Sequence, residues 1–395
     1  MTVLLFILGL LLFIALVLVH EWGHFTMARR NGVDVEEFGL GFPPRIKTLT
    51  KKNGTEYTLN WLPLGGFVRL KGEHDADTAK GTLGAASVLS KVKIMMAGVV
   101  MNLVVALVLF TLLALAGMPQ LITKGSFTDE NQFTVASDER ISNDRTYVNY
   151  VEEGSPADEA GIEPIDQIVS ATYDGETAEI HGLADLQALG SAYPGHVIEF
   201  QVVRDGDART VPVQLRDAEE VAAAKAAGER KGYIGINVMN YQIKQYTWSA
   251  PVVAVGTTVQ ITKLTLQALG KALHGVGGIV AGLLTGNSPA RQAAQAQATE
   301  QVSGPLGILF VLQSSAQQGV LMLLFIIALI SLTLAIMNFL PIPALDGGRL
   351  FVTLLFRALK KPLTEDMEDR IHGTGFLLLM LLFVLITVVD VKRFF

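Results

Sequence analysis

His20 and His24 stand four residues apart with Glu21 beside the first, in the pentad His20-Glu21-Trp22-Gly23-His24. On a helix that spacing stacks both imidazoles on one face, which suits a zinc ion, and the adjoining carboxylate can serve as general base. The pentad closes an apolar run over residues 3–19. An ionisable group inside a hydrophobic segment costs about 2.5–3.5 kcal/mol or more, so such groups rarely sit there without a function. The structural alternative is an interfacial His/Glu cluster whose polar tips reach for water. A metal site at a membrane helix is the favoured reading.

A catalytic zinc site takes three protein ligands and keeps one position open for water. The chain has no cysteine, so disulfides and thiolate ligands are excluded and the donors must be His and carboxylate. Asp346 offers the third, in the stretch Asn338-Phe339-Leu340-Pro341-Ile342-Pro343-Ala344-Leu345-Asp346-Gly347-Gly348. There the prolines end a helix and the glycines let the backbone turn sharply. Alone, this stretch reads as a turn; coupled to the pentad on the same side of a membrane, it reads as the rest of the site. His74, His181, His196, His274 and His372 show no ligand spacing and read as surface or structural residues.

The elements that must position these groups are apolar helices. The chain of 395 residues is half hydrophobic and only 17% charged, with a mean hydropathy of +0.41. That composition describes a polytopic membrane protein with a soluble portion. The net charge of −6 provides no basic surface, and nucleic acid is excluded as a partner. Four segments, residues 3–26, 94–117, 320–339 and 375–389, predict transmembrane helices, the first a retained span rather than a cleaved signal. Lys and Arg concentrate between the first two and between the last two, which predicts those loops as cytoplasmic and both termini and the middle region as external. His20 then lies roughly 25 Å along its helix, near the cytoplasmic edge of the bilayer and within reach of water.

Residues 56–62 and 66–70 alternate like strands around Pro63-Leu64-Gly65-Gly66, predicting a β-hairpin turned at that point beside the membrane. Residues 127–238 are acidic, alternate in short runs and carry regular Gly and Pro, predicting a small soluble α+β domain. Residues 252–284 are apolar but broken by Lys263, Lys271 and His274, and predict amphipathic helices lying on the membrane, a fifth span being the alternative. The Gln/Ala-rich residues 290–301 read as a connector.

These motifs resemble those of bacterial site-2 proteases, intramembrane zinc metalloproteases of the bacterial inner membrane, and the resemblance covers nearly the whole chain. His20 to His24 is similar to the family's HExxH helix, and Asn338 to Gly347 to its NxxPxPxxDG element. Pro63 to Val68 resembles the PLGGFV segment of a reentrant hairpin, Ser303 to Gly307 the entry to the third core helix, and Gly154 to Gly161 part of a PDZ domain. Ile165-Asp166 departs from the usual Gly-Asp, and Ala97 to Asn102 keeps the Gly and Asn of a family motif without its Pro. The resemblance implies a membrane core built from residues 1–120 and 303–395, an extracytoplasmic PDZ-like domain at 125–240, and an amphipathic connector at 241–302. It implies Zn²⁺ held by His20, His24 and Asp346, with Glu21 accepting a proton from water and passing it to the leaving amine. Asn338 is expected to hold the substrate backbone or oxyanion. Gly66, Phe67 and Val68 are expected to pair with an unwound substrate, and Asn102 either to support it or to pack helices. The implied partners are single-span membrane proteins, such as anti-sigma factors or signal-peptide remnants, the lipid bilayer, and a ligand of the PDZ-like domain. Two rival readings remain: a membrane-anchored PDZ scaffold with a vestigial metal site, and a zinc protease with a cytosolic site and soluble substrates.

Overall fold

The computed structural model describes residues 2–122, 130–204, 206–226, 231–285 and 305–394. They divide into two compact units, Met1–Leu113 with Ala250–Phe395, and Ala114–Ser249.

The first unit opens with α1 (Thr2–Arg30), which carries the pentad near its C-terminal end. Residues predicted as one span at 94–117 form two helices, α2 (Val88–Met95) and α3 (Ala97–Ala116), broken at Met96. Two glycines let helices approach closely. A Cβ on Gly23 would lie 2.7 Å from the Ala97 carbonyl oxygen, and one on Gly9 would lie 2.8 Å from Leu323. The later helices are α7 (Ala250–Thr285), α8 (Pro305–Gln318), α9 (Val320–Phe339), α10 (Asp346–Ala358) and α11 (Glu365–Phe394). α9 is the axis of the unit: 56% of its apolar window is buried, against 6% for α11.

Among the described residues, five helices rather than four are long and apolar enough to cross a membrane, by length and composition. The additional one is Ala250–Ala272, with a mean hydropathy of only 1.2. Where separate amphipathic helices were expected, a single 36-residue helix runs through Lys263 and the glycines. The lysine and glycines weaken the apolar signal without stopping the helix, because isolated glycines are tolerated there. The 290–301 connector and Ser303-Gly304 lie outside the described residues.

The hairpin differs from its prediction. β1 (Val35–Lys52) pairs antiparallel with β2 (Thr55–Leu70), and the turn is at Asn53-Gly54. Both turn residues have positive φ, 52° and 84°, the conformation that suits an Asn-Gly turn between two strands. Pro63 to Gly66 lies within β2, where Gly65 (φ 96°) and Gly41 (φ 78°) on the facing strand permit a bend. Leu40 consequently faces both Leu59 and Gly66, and Gly39 both Thr58 and Phe67, so the long hairpin folds back on itself.

The second unit is α+β. Its sheet runs in the order β3 (Met118–Gln120), β9 (Ile236–Gln245), β4 (Arg140–Val151), β5 (Gln167–Tyr173), β7 (Val197–Arg204) and β8 (Asp207–Gln214), with β6 (Glu176–Glu179) on β5. α4 (Pro156–Glu159) is capped by Ser155, whose hydroxyl accepts from Asp158 N–H. The remaining helices of the unit are α5 (Leu183–Ala192) and α6 (Ala218–Ala226). Ile168, Ile198, Phe200 and Val213 form the core of this sheet. Arg204 grips the buried Asp166 with two hydrogen bonds of 2.7 Å.

Candidate metal centre

Three side chains predicted from widely separated segments converge in the first unit. His20 Nε2 lies 3.1 Å and His24 Nε2 3.2 Å from the same oxygen, Asp346 Oδ2. The two Nε2 atoms are 3.2 Å apart. Tetrahedral ligands with bonds of about 2.0–2.1 Å stand roughly 3.3 Å from one another, so this donor set fits zinc in both chemistry and spacing. Both histidines are buried, at 8% and 9% exposure.

Local sequence explains the convergence. Pro341 and Pro343 end α9, and α10 begins at Asp346, whose carboxylate stands in the first helical turn where the helix dipole favours an anion. The intervening loop folds tightly over that turn. A Cβ on Gly347 would strike the Phe339 carbonyl and one on Gly348 the Ile342 carbonyl, so neither position accepts a larger residue without moving backbone. Gly98 on α3 does the same for the histidines, since a Cβ there would run into both imidazoles. Burial opposes ionisation of Asp346, but hydrogen bonding to the two imidazoles outweighs it and holds the carboxyl below its ordinary range. Its anionic form is the one a metal needs.

The far side of each imidazole is also occupied. His24 Nδ1 donates to the Ile94 carbonyl at 2.8 Å. A carbonyl can only accept, so Nδ1 holds a proton, and with a metal bound Nε2 would be free to offer its lone pair to it. His20 Nδ1 faces the side-chain amide of the buried Asn102 at 3.2 Å. The main-chain carbonyl of Asn102 accepts from Ser331 on α9 at 2.8 Å.

Glu21 on α1 and Val68 on β2 face a common cavity. A cavity of about 110 Å³ opens among Glu21, His24, Val68, Glu73, Asp346 and Arg349. Gly66 presses on Leu18 and Gly39 and comes near Glu21, so β2 lies alongside the pentad. The Phe67 ring lies over Gly39 on the facing strand. Asn338 is half-buried near the end of α9, and among the described residues no side-chain hydrogen bond ties it to His20, His24 or Asp346.

The sequence reading missed two features. Arg349 donates to Glu73 at 2.7 Å and lines the same cavity; its position beside Asp-Gly-Gly is visible in the sequence, but its partner lies 276 residues away. His74, read as isolated, stands 3.0 Å from Asp369 and 3.6 Å from Glu365, at a second cavity of about 380 Å³ reaching Asp346 and His372.

The model of peptidase family M50 matches residues 8–382. A Clostridium perfringens protein with zinc metalloprotease in its name is 32% identical over 389 residues, covering 98% of each chain. Zinc metalloprotease RasP of Geobacillus kaustophilus is 25% identical over 466 residues, 98% of this chain and 97% of the other. Regulator of sigma-E protease RseP of Salmonella typhimurium is 27% identical over 462 residues and 96% of each. With a family model matched over nearly its whole length and a relative at 32% identity, the chain belongs to peptidase family M50, the site-2 proteases, as a zinc metalloendopeptidase.

Proposed function

We propose that this protein cleaves single-span membrane proteins within or near the bacterial inner membrane. The observation that carries the proposal is the meeting of Asp346 with His20 and His24, which stand on a helix long and apolar enough to cross a bilayer. Those three residues would hold zinc. When bound, zinc supplies Lewis acidity, lowering the pKa of water toward about 7 and polarising a carbonyl. Glu21 takes the proton from the attacking water and delivers it to the leaving amine. Val68 lines the same cavity as Glu21, and a substrate strand would enter on that hairpin side.

A helical substrate conceals its carbonyls in hydrogen bonds and must unwind before attack. The outer stretch of β2 around Gly66 to Val68 offers main-chain groups to replace those bonds. The second unit is read as an external PDZ-like filter for substrates already shortened outside, and anti-sigma regulators are candidate substrates, in keeping with the sigma-E name of one relative.

The test is cleavage of a single-span reporter by purified protein, parent against Glu21→Gln, with zinc supplied or chelated. Loss of cleavage in the variant and under chelation is expected. Equal cleavage by parent and variant would sink the mechanism, and cleavage of soluble casein alone would favour a protease with soluble substrates.

A further inference from the structure

The two imidazoles have different partners behind them, and one of these is incompletely used. His24 has the main-chain carbonyl of Ile94, an obligate acceptor. His20 has the side chain of Asn102, whose Nδ2 lies 3.2 Å from His20 Nδ1, while Asn102 Oδ1 is buried with no hydrogen-bond partner among the described residues. Asn102 is only 1% exposed, deep between helices, where an unpaired carbonyl oxygen costs about 1–3 kcal/mol. The two ends of a primary amide have nearly the same shape, and their hydrogen bonds determine which points where.

His20 Nε2 faces Asp346 Oδ2 and His24 Nε2, and it can ligate a metal only through its lone pair. In the neutral ring the proton must then sit on Nδ1. An Nδ1–H facing an amide NH₂ would set donor against donor. Turning the amide by half a rotation places Oδ1 at that position, gives the orphaned oxygen a donor and supplies the imidazole with an acceptor. Ser331 holds the Asn102 main chain in place, and Gly98, one turn earlier on α3, lets the helix come close enough for the contact.

We infer that Asn102 is a positioning residue for the metal centre: its Oδ1 accepts the Nδ1 proton of His20 and fixes the tautomer that presents Nε2 to zinc. This rests on the proposed ligand set of His20, His24 and Asp346. Of the two roles considered for Asn102 from sequence, substrate support and helix packing, neither requires a carbonyl acceptor at this spot. His20 and His24 would share one design, an Nδ1 proton held by an oxygen, supplied once by main chain and once by side chain.

The full-length protein purified in detergent is stripped of metal, and zinc affinity is measured by competition with a chromogenic chelator for the parent, Asn102→Leu and Asn102→Asp. Asn102→Leu keeps the size but removes the acceptor, and its zinc binding is expected to weaken by about 10–100-fold. Asn102→Asp retains an acceptor oxygen and is expected to stay within about threefold of the parent. Affinity in Asn102→Leu equal to the parent, or Asn102→Asp as weak as Asn102→Leu, would overturn the inference. A packing role would not separate the two variants in that way. If Asn102→Leu lacks the parent's thermal transition, the zinc-loaded parent labelled with ¹⁵N-histidine decides instead. A His20 ring that ligates zinc through Nε2 and keeps its proton on Nδ1 is expected, and a ring that ligates through Nδ1 would overturn the inference. A parent that binds no zinc would fail the ligand assignment itself, an outcome distinct from a parent that binds zinc while Asn102→Leu binds equally well.

Discussion

Arg349 donates to Glu73 at 2.7 Å through one guanidinium nitrogen, and a second lies 3.2 Å from the Glu73 carbonyl. Glu73 in turn accepts from the Leu70 N–H at 2.9 Å, at the end of β2. The helix that begins with Asp346 is therefore tied to the strand that lines the Glu21 cavity. The proposed metal ligand and general base would thus be held in one frame although they belong to distant parts of the chain.

Breaking that tie should harm turnover more than metal binding. In Arg349→Leu, zinc affinity is expected to stay within about threefold of the parent, because the three donor atoms are untouched. Cleavage of the reporter should fall about tenfold, equivalent to ~1.4 kcal/mol at the transition state. Parallel zinc titration and kcat/KM measurements check this, and an equal loss in both would place Arg349 with the metal instead.

Gly98→Ala carries the opposite expectation. A methyl group there meets both imidazoles, so the rings must leave their positions before zinc can bind. Zinc content by mass spectrometry should fall well below one per chain, and cleavage should drop by more than about 100-fold, the scale a 1 Å misplacement of catalytic groups can produce. Full occupancy with normal turnover would contradict the crowding described at this crossing.

In the second unit, Ile165 adopts φ +75°, a left-handed conformation that a β-branched residue strongly disfavours. Its side chain is 42% exposed and contributes little packing to offset the strain. Ile165→Gly is expected to stabilise the protein by about 1 kcal/mol, seen as a higher urea midpoint with unchanged slope. A lower midpoint would show that the isoleucine side chain contributes more than its conformation costs.

His74 sets a pH expectation. Its hydrogen bond to Asp369, working against partial burial, and the nearby charges of Asp369, Glu365 and Glu368 hold the imidazole above its ordinary range. Asp77 also faces the ring at 3.9 Å. A raised pKa in the folded state stabilises fully below the unfolded value of about 6.5, and that contribution is lost as pH rises through the folded value. His74→Gln should therefore melt about 1 °C below the parent at pH 6, with the gap closing by pH 9. A gap that does not vary with pH would show that the ion pairs contribute nothing.

The pentad and Asp346 were legible because their chemistry is written in fixed spacing, in residue types that an apolar setting otherwise excludes. α9 was legible to the residue, since its apolar run ends at prolines. The hairpin was misplaced because Asn53-Gly54, a strong turn signal, is flanked by Lys51 and Lys52 and follows a strand with little alternation after Phe42. α7 was divided in prediction because a lysine and several glycines interrupt hydropathy more than they interrupt a helix. The groups behind the imidazoles could not be read from spacing. Ile94 serves through its carbonyl, which any residue possesses, and Glu73 meets Arg349 only through the tertiary fold.

The break between α2 and α3 at Met96 has a further meaning. Carbonyls in the last turn of a helix lack obligatory partners along their own axis, and Ile94 lies in the last turn of α2, with its oxygen turned to His24. An uninterrupted helix over residues 88–116 would look like a better membrane segment, yet it would draw that oxygen back into the ladder. Substitutions that repair the interruption are expected to yield a chain that inserts well and holds its metal poorly.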